Sequence, residues 1–489
     1  MLPDELLCAV FLRLDCRTLV TVIPKVCVRW RGVCSRFVAD IAFDFSPWAS
    51  KLSMLSRLGG PGCIDRRIAT MVRSVGGGSA IRFPAMLVNR RRCGKSFGSK
   101  ACDSIVAAQD FIGLKRLDLT DATWLPASPS LQLICGMQHL ERLDLAGWTT
   151  LTDDDRKGMR NLRNLRCLTL KDCDSLTSAS IGAHLSRLVS LQHLSLQGCL
   201  LMDGIALKSL ASLKDLRTIV LSDADAVDDD VVDWLCHELV LLETVDVSNC
   251  PNVTSNAMAH FDNLRKLTTL LMGCSVDLSC VDEPQRAWMS RVRHLDVAGC
   301  FVVDAFAAAL SGTPACALES LDMFSADITS EGLSSISKLT TLKRLGLSDC
   351  NAISRWGYAT CLPMLGNLER LCLHSSQNLT DECVRAVSGL PNLRVLNIVN
   401  CPRLTQKSID WLTRCTSREL ERVCMSTLEK RHATWPPSAV SSFSVSRNGD
   451  ATIVRPVQCE RCSLVTATLM TRDWGCESEC LAAGTCVFD

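Results

Sequence analysis

Leu165-Arg166-Cys167-Leu168-Thr169-Leu170-Lys171-Asp172-Cys173 sets the frame of this chain: aliphatic residues first, fourth and sixth, and a small residue, often cysteine, ninth. The frame recurs thirteen times between residues 114 and 428, starting at Leu114, Leu140, Leu165, Leu191, Leu216, Leu242, Leu267, Val292, Leu318, Leu342, Leu368, Leu393 and Leu420. Successive starts are 24 to 27 residues apart. Self-similarity at a fixed period of this size is the mark of a stack of like units that share one continuous core.

Inside each unit, period-two triplets such as Leu143-Asp144-Leu145, Leu295-Asp296-Val297 and Leu321-Asp322-Met323 read as short half-buried strands. The phrases Leu176-Thr177-Ser178, Val253-Thr254-Ser255, Ile328-Thr329-Ser330 and Leu379-Thr380-Asp381 then supply a capping residue ahead of helical spacing. Parallel strands stacked about 4.8 Å apart, with wider helices outside, predict an arc. The frame resembles the leucine-rich repeat, and Cys250-Pro251-Asn252-Val253-Thr254 and Cys401-Pro402-Arg403-Leu404-Thr405 resemble its cysteine-containing subclass. That resemblance implies an α/β solenoid with a curved parallel sheet inside and helices outside. The subclass is common in F-box substrate receptors of ubiquitin ligases.

The ninth position holds Cys173, Cys199, Cys250, Cys300, Cys350 and Cys401, six of 29 cysteines. A fixed place in a repeat argues for packing, since a free cysteine behaves as a small buried hydrophobe with a weak S–H donor. A net charge of +1 gives no global field toward nucleic acid or membrane. Met1-Leu2-Pro3-Asp4-Glu5 is acidic where a secretory leader would be basic. No apolar run reaches the length of a membrane span. The expectation is a cytoplasmic or nuclear protein.

The chain divides by texture into residues 1–48, 49–112, 113–430 and 431–489. In the first segment, Leu6, Leu7, Val10, Phe11 and Leu14 share one face of a helix that Pro3 and Asp4 can open. Two further short helices carry Leu19, Val22 and Ile23, then Val26, Cys27, Trp30 and Val33. So short a module cannot bury all of these groups among themselves, which points to a partner surface. Leu2-Pro3-Asp4-Glu5-Leu6-Leu7, Phe11, Leu14-Asp15, Leu19 and Val26-Cys27-x-Arg29-Trp30 resemble the F-box. The resemblance implies docking of a Skp-type adaptor, and through it cullin and RING subunits, by Leu2, Pro3, Leu6, Leu7, Phe11, Leu14, Val26 and Trp30. Pro24 sits in a one-residue expansion relative to that motif. The alternative is a helical cap sealing the end of the stack, as part of a non-ligase interaction scaffold.

Residues 49–112 carry eleven Lys or Arg, including Arg90-Arg91-Arg92, and read as a basic, glycine-containing connection with degenerate repeats, for example around Ile81 and Ile105. Without aromatic interleaving they do not point to nucleic acid. Residues 431–489 lose the rhythm and read as an irregular tail. There Cys459, Cys462, Cys476 and Cys480 form a weak candidate zinc set with a loose second pair, so no cofactor is expected. Neither a nucleophilic triad nor a phosphate loop appears, and the chain reads as a receptor rather than an enzyme.

A protein substrate would meet the inner sheet face, lined by the third, fifth and seventh positions. Among them, the apolar residues Val220, Leu271, Phe324 and Val399 are expected to face solvent as anchors. The third-position arginines Arg344, Arg370 and Arg422 are suited to an acidic or phosphorylated segment. His193 and His294 belong to the same face.

Overall fold

The structure, a computed structural model, describes residues 42–44, 80–82, 115–120, 134–149, 157–173, 175–278, 287–414, 420, 422–426, 440–448 and 451–458. The chain forms two compact units, Met1–Ala226 with Cys486–Asp489, and Val227–Thr485. In the first, strands Ala42–Asp44, Ala80–Arg82, Arg116–Asp118, Arg142–Asp144, Cys167–Thr169, His193–Ser195 and Thr218–Val220 pair in that order, each parallel to the last. In the second, Thr244–Asp246, Thr269–Leu271, His294–Asp296, Ser320–Asp322, Arg344–Gly346, Arg370–Cys372, Val395–Ile398 and Arg422–Ser426 do the same. Every one of the thirteen frames carries a strand that begins at its third residue. Helical segments follow, among them Ser178–His184, Asp229–Glu238, Asp304–Gly312, Ser330–Ile336, Arg355–Cys361 and Asp381–Val387. The fold is an α/β leucine-rich-repeat stack.

Burial explains the aliphatic positions. Leu143 and Leu145, Leu168 and Leu170, and Leu345 and Leu347 are all buried, as are the frame-opening Leu140, Leu165 and Leu342. Each such side chain contributes roughly 1.5–3 kcal/mol by leaving water. Larger groups fill the gaps: Trp148, Trp288, Phe261, Phe306 and the sole tyrosine, Tyr358, whose hydroxyl donates to the Cys350 carbonyl at 3.1 Å.

The ninth position is a hydrogen-bond ladder as well as a packing site. Sγ of Cys199, Cys300, Cys350 and Cys401 donates to the sixth-position carbonyl of the preceding repeat (Leu170, Met272, Met323, Leu373) at 3.0–3.1 Å. Cys173 does so to Leu145 at 3.5 Å. At two positions without the cysteine the donor is kept: Ser275 Oγ reaches Val247 O at 2.7 Å, and Trp148 Nε1 reaches Leu119 O at 2.9 Å, whereas Ala224 and Ala326 have no side-chain donor. A second ladder joins helix starts. Asp229, Asp304 and Asp381 accept from both the backbone N–H and the hydroxyl of Thr254, Thr329 and Thr405, one repeat on. Thr254 and Thr329 also cap their own helices through Oγ1, whereas Thr177 and Thr380 occupy the cap position without that bond.

One turn recurs that the leucine pattern does not announce. The eighth residue of every described frame from Gly147 to Asn400 has φ between 54° and 76°, the left-handed region. Gly198 and Gly299 adopt it without cost, and Asp172, Asp223, Asn249, Asp349 and Asn400 are the side chains that tolerate it best.

Two expectations about the ends change. Among the described residues the sheet begins at Ala42–Asp44, inside the segment ascribed to the N-terminal module, and continues through Ala80–Arg82, whose Ile81 is in register with Leu117. The tail is not wholly irregular. Val440–Asn448 and Ala451–Gln458 form an antiparallel hairpin on Arg422–Ser426, with Asn448 paired to Ala451 across Gly449-Asp450. Gly-Asp as the two residues between paired strands is a hairpin signal, and the Ser-rich composition around it obscured the alternation.

Candidate protein-binding face

The second unit's inner sheet face is read from its register. The third positions run Thr244, Thr269, His294, Ser320, Arg344, Arg370, Val395, and the fifth run Asp246, Leu271, Asp296, Asp322, Gly346, Cys372, Asn397. Seventh positions follow: Ser248, Gly273, Ala298, Phe324, Ser348, His374 and Val399.

Three of the four expected apolar anchors are not exposed. Val220, Leu271 and Val399 keep only 6%, 6% and 5% of their surface in solvent. Strand spacing of about 4.8 Å brings the same position of the next repeats against them: Leu271 lies between Asp246 and Asp296, and Val220 beside Ser195. Phe324 alone of the four stands half-exposed. Arg344 and Arg370 are half-buried neighbours on the third positions, and an Arg344 Nη2 comes within 3.5 Å of His294 Nδ1. Arg422 lies in register with Val395, and its side chain falls outside the described residues. So do Leu2, Pro3, Leu6, Leu7, Phe11, Leu14, Val26, Trp30, Cys459, Cys462, Cys476 and Cys480.

The fifth-position acids have a local role that the sequence reading did not assign. Oδ1 of Asp118, Asp144, Asp246, Asp296 and Asp322 accepts the backbone N–H two residues on, at 2.9–3.1 Å from Thr120, Ala146, Ser248, Ala298 and Phe324. Asn397 serves Val399 in the same way at 3.2 Å. From Asp144 onward these side-chain turns release the strand into the left-handed eighth residue. An Asp or Asn two residues before an outward position is the signal that could have found them.

Asp296 and Asp322 are register neighbours in the second unit, as Asp118 and Asp144 are in the first. Burial first, then the charge of Asp322, raises Asp296, and burial raises Asp322. Each is opposed by its single backbone N–H. Burial also pushes the Cys372 thiol up to about 12 and lowers His374, whose Nδ1 is buried without a hydrogen-bond partner. Among the described residues no group of His, Cys, Asp and Glu has the geometry to hold a metal ion, and no helix is long and apolar enough to cross a membrane.

A concavity lies at the strand-entry rim of the same unit. Its volume is about 720 Å³, and Arg293, Glu319, Lys343, Glu369 and Arg394 alternate in charge along it. Glu319 pairs with Lys343 at 2.8 Å and with Arg293 at 3.4 Å, and the hydrogen bond from Lys343 leads in holding it below the usual carboxylate range. That rim is largely self-neutralising, and exposed pairs of this kind are worth only about 0–1 kcal/mol.

No family model matches the chain. Among solved structures, an internalin (inlF) from Listeria monocytogenes is 17% identical, with a TM-score of 0.45, over 66% of this chain and 82% of that one. The Rad7 and Elc1 complex in yeast gives 16%, a TM-score of 0.43, and coverage of 78% and 98%. A TLR13–ssRNA13 complex gives 19%, 0.37, and coverage of 59% and 43%. Likenesses at this level assign the chain neither a family nor a partner.

Proposed function

We propose that this chain is a substrate-recognition subunit of an SCF-type ubiquitin ligase, with its N-terminal residues docking a Skp-type adaptor and its repeats holding a target protein. The observation that carries the reading is the F-box resemblance of residues 2–30, joined to a repeat stack whose inner face presents half-exposed charged and aromatic side chains. In this role the chain is not itself a catalyst. It raises the local concentration of target near a charged conjugating enzyme, and other subunits supply the chemistry.

One observation favours the second reading, an interaction scaffold with a helical cap. Among the described residues strand Ala42–Asp44 is the first of the ladder, and residues 1–41 immediately precede it in sequence, as a cap would. The readings separate in one experiment. Leu6→Ala with Phe11→Ala should abolish pull-down of a Skp-type adaptor while leaving the circular dichroism of the repeats unchanged. A cap would instead lose stability without any adaptor having bound, and failure of the wild-type chain to capture adaptor removes the ligase reading.

A further inference from the structure

We infer that the inner face of the second unit recognises a partner segment carrying a basic side chain and, about three residues along, an acidic one, with the basic group seated on Asp296 and Asp322. This rests on the receptor reading and gives the partner a chemistry. Three observations support it.

Charge on this sheet face is sorted by position. The fifth positions carry Asp246, Asp296 and Asp322, and the third carry His294, Arg344 and Arg370. Two residues along a strand place these tracks about 7 Å apart. From Asp322 to Arg370 the path also crosses two strand spacings, giving roughly 12 Å, close to three or four residues of extended peptide.

Asp296 and Asp322 are also uncompensated. Each accepts one backbone N–H, at 2.9 and 3.1 Å, and neither forms an ion pair among the described residues. The nearby Arg344 is directed instead toward His294, 3.5 Å away on the third-position track. Two half-buried carboxylates side by side without a cation are complementary to an ammonium or guanidinium group.

The surroundings fit such a group as well. Phe324, two residues after Asp322, is half-exposed and offers an aromatic face of the kind cations favour. Gly346 leaves the next fifth position bare, and a Cβ there would lie 2.6 Å from an Asp322 carboxylate oxygen. The carboxylate therefore leans over open backbone, where a longer residue would have covered it.

The test is selection of a random phage-displayed peptide library on the immobilised full-length chain. Enriched peptides should carry Lys or Arg with Asp or Glu about three positions away. Asp296→Asn with Asp322→Asn should weaken their binding about tenfold or more, equivalent to 1.4 kcal/mol per tenfold. Asn397 already makes the same turn as an amide, so thermal unfolding should show the variant folded. Asp322→Lys should select acidic residues in place of the basic one. Enrichment without basic residues, no enrichment at all, or full retention by the double Asn variant overturns the proposal. If Arg344→Glu or Phe324→Ala abolishes binding while the double Asn variant retains it, the inner face remains a receptor and only the assigned chemistry fails.

Discussion

Alkylation of the native chain at pH 8 should separate its cysteines by position in the repeat. Cys350 and Cys401 are buried, and burial pushes each thiol up to about 12. At pH 8 that leaves a thiolate fraction of about 10⁻⁴, against roughly 0.2 for an ordinary thiol near 8.5. Greater basicity makes the rare thiolate more nucleophilic, recovering about 40-fold with a Brønsted slope near 0.45. Ionisation alone therefore slows labelling by roughly 50-fold, before steric exclusion is counted. Cys274, exposed on its left-handed turn, has no such steric barrier. Timed iodoacetamide treatment with peptide mapping, run beside a guanidinium-unfolded control, gives each rate. Labelling of Cys350 and Cys401 within a few fold of Cys274 in the folded chain would refute the assignment of the ninth position to packing and hydrogen bonding.

Trp148→Phe should destabilise the first unit by about 1–3 kcal/mol, read as a lower urea midpoint, because Leu119 O loses its indole donor inside the core. Asp381→Asn should lower stability at neutral pH. Burial opposes the Asp381 carboxylate, but hydrogen bonds from Ser408 and Thr405 outweigh it and hold the group below its usual range. Its stabilisation is thus present above about pH 4 and fades as pH falls through the depressed value, where wild type and variant should converge. The opposite sign applies to Asp296 and Asp322, which are raised: wild-type stability should fall as pH rises from about 4 toward 7. Asp296→Asn with Asp322→Asn should therefore match wild type in acid and exceed it above pH 7 by on the order of 1–2 kcal/mol, both carboxylates being partly solvated.

Architecture was the most legible part of this chain. Leucines at the fourth and sixth positions have no other reason to recur every 25 residues, and each marked a strand. Cys173 and its equivalents were readable as packing because their place was fixed. The candidate face was read less well, since outward position was equated with exposure. For Val220, Leu271 and Val399 the neighbouring repeats supply the cover, a contact between residues some 25 apart that periodicity along one strand does not show. The Asp296–Asp322 pair is similar, because only the register makes the two carboxylates adjacent. At the ends, Ala42–Asp44 and Ala80–Arg82 lack the leucine frame, and they take part through backbone pairing that any residue can make.

The ninth-position ladder has an evolutionary consequence. Each donor is matched to a carbonyl 27 to 29 residues earlier, and the helix-start carboxylates to a threonine 24 or 25 residues later. A deletion of five or ten residues within a repeat would misalign both ladders with every later unit in that stack, whereas removal of one whole period restores them. Length variation among homologous chains should therefore come in whole-repeat steps. Lineages would lengthen or shorten the surface they offer to partners by duplication and loss of complete units, while inserted residues accumulate in loops that neither ladder crosses.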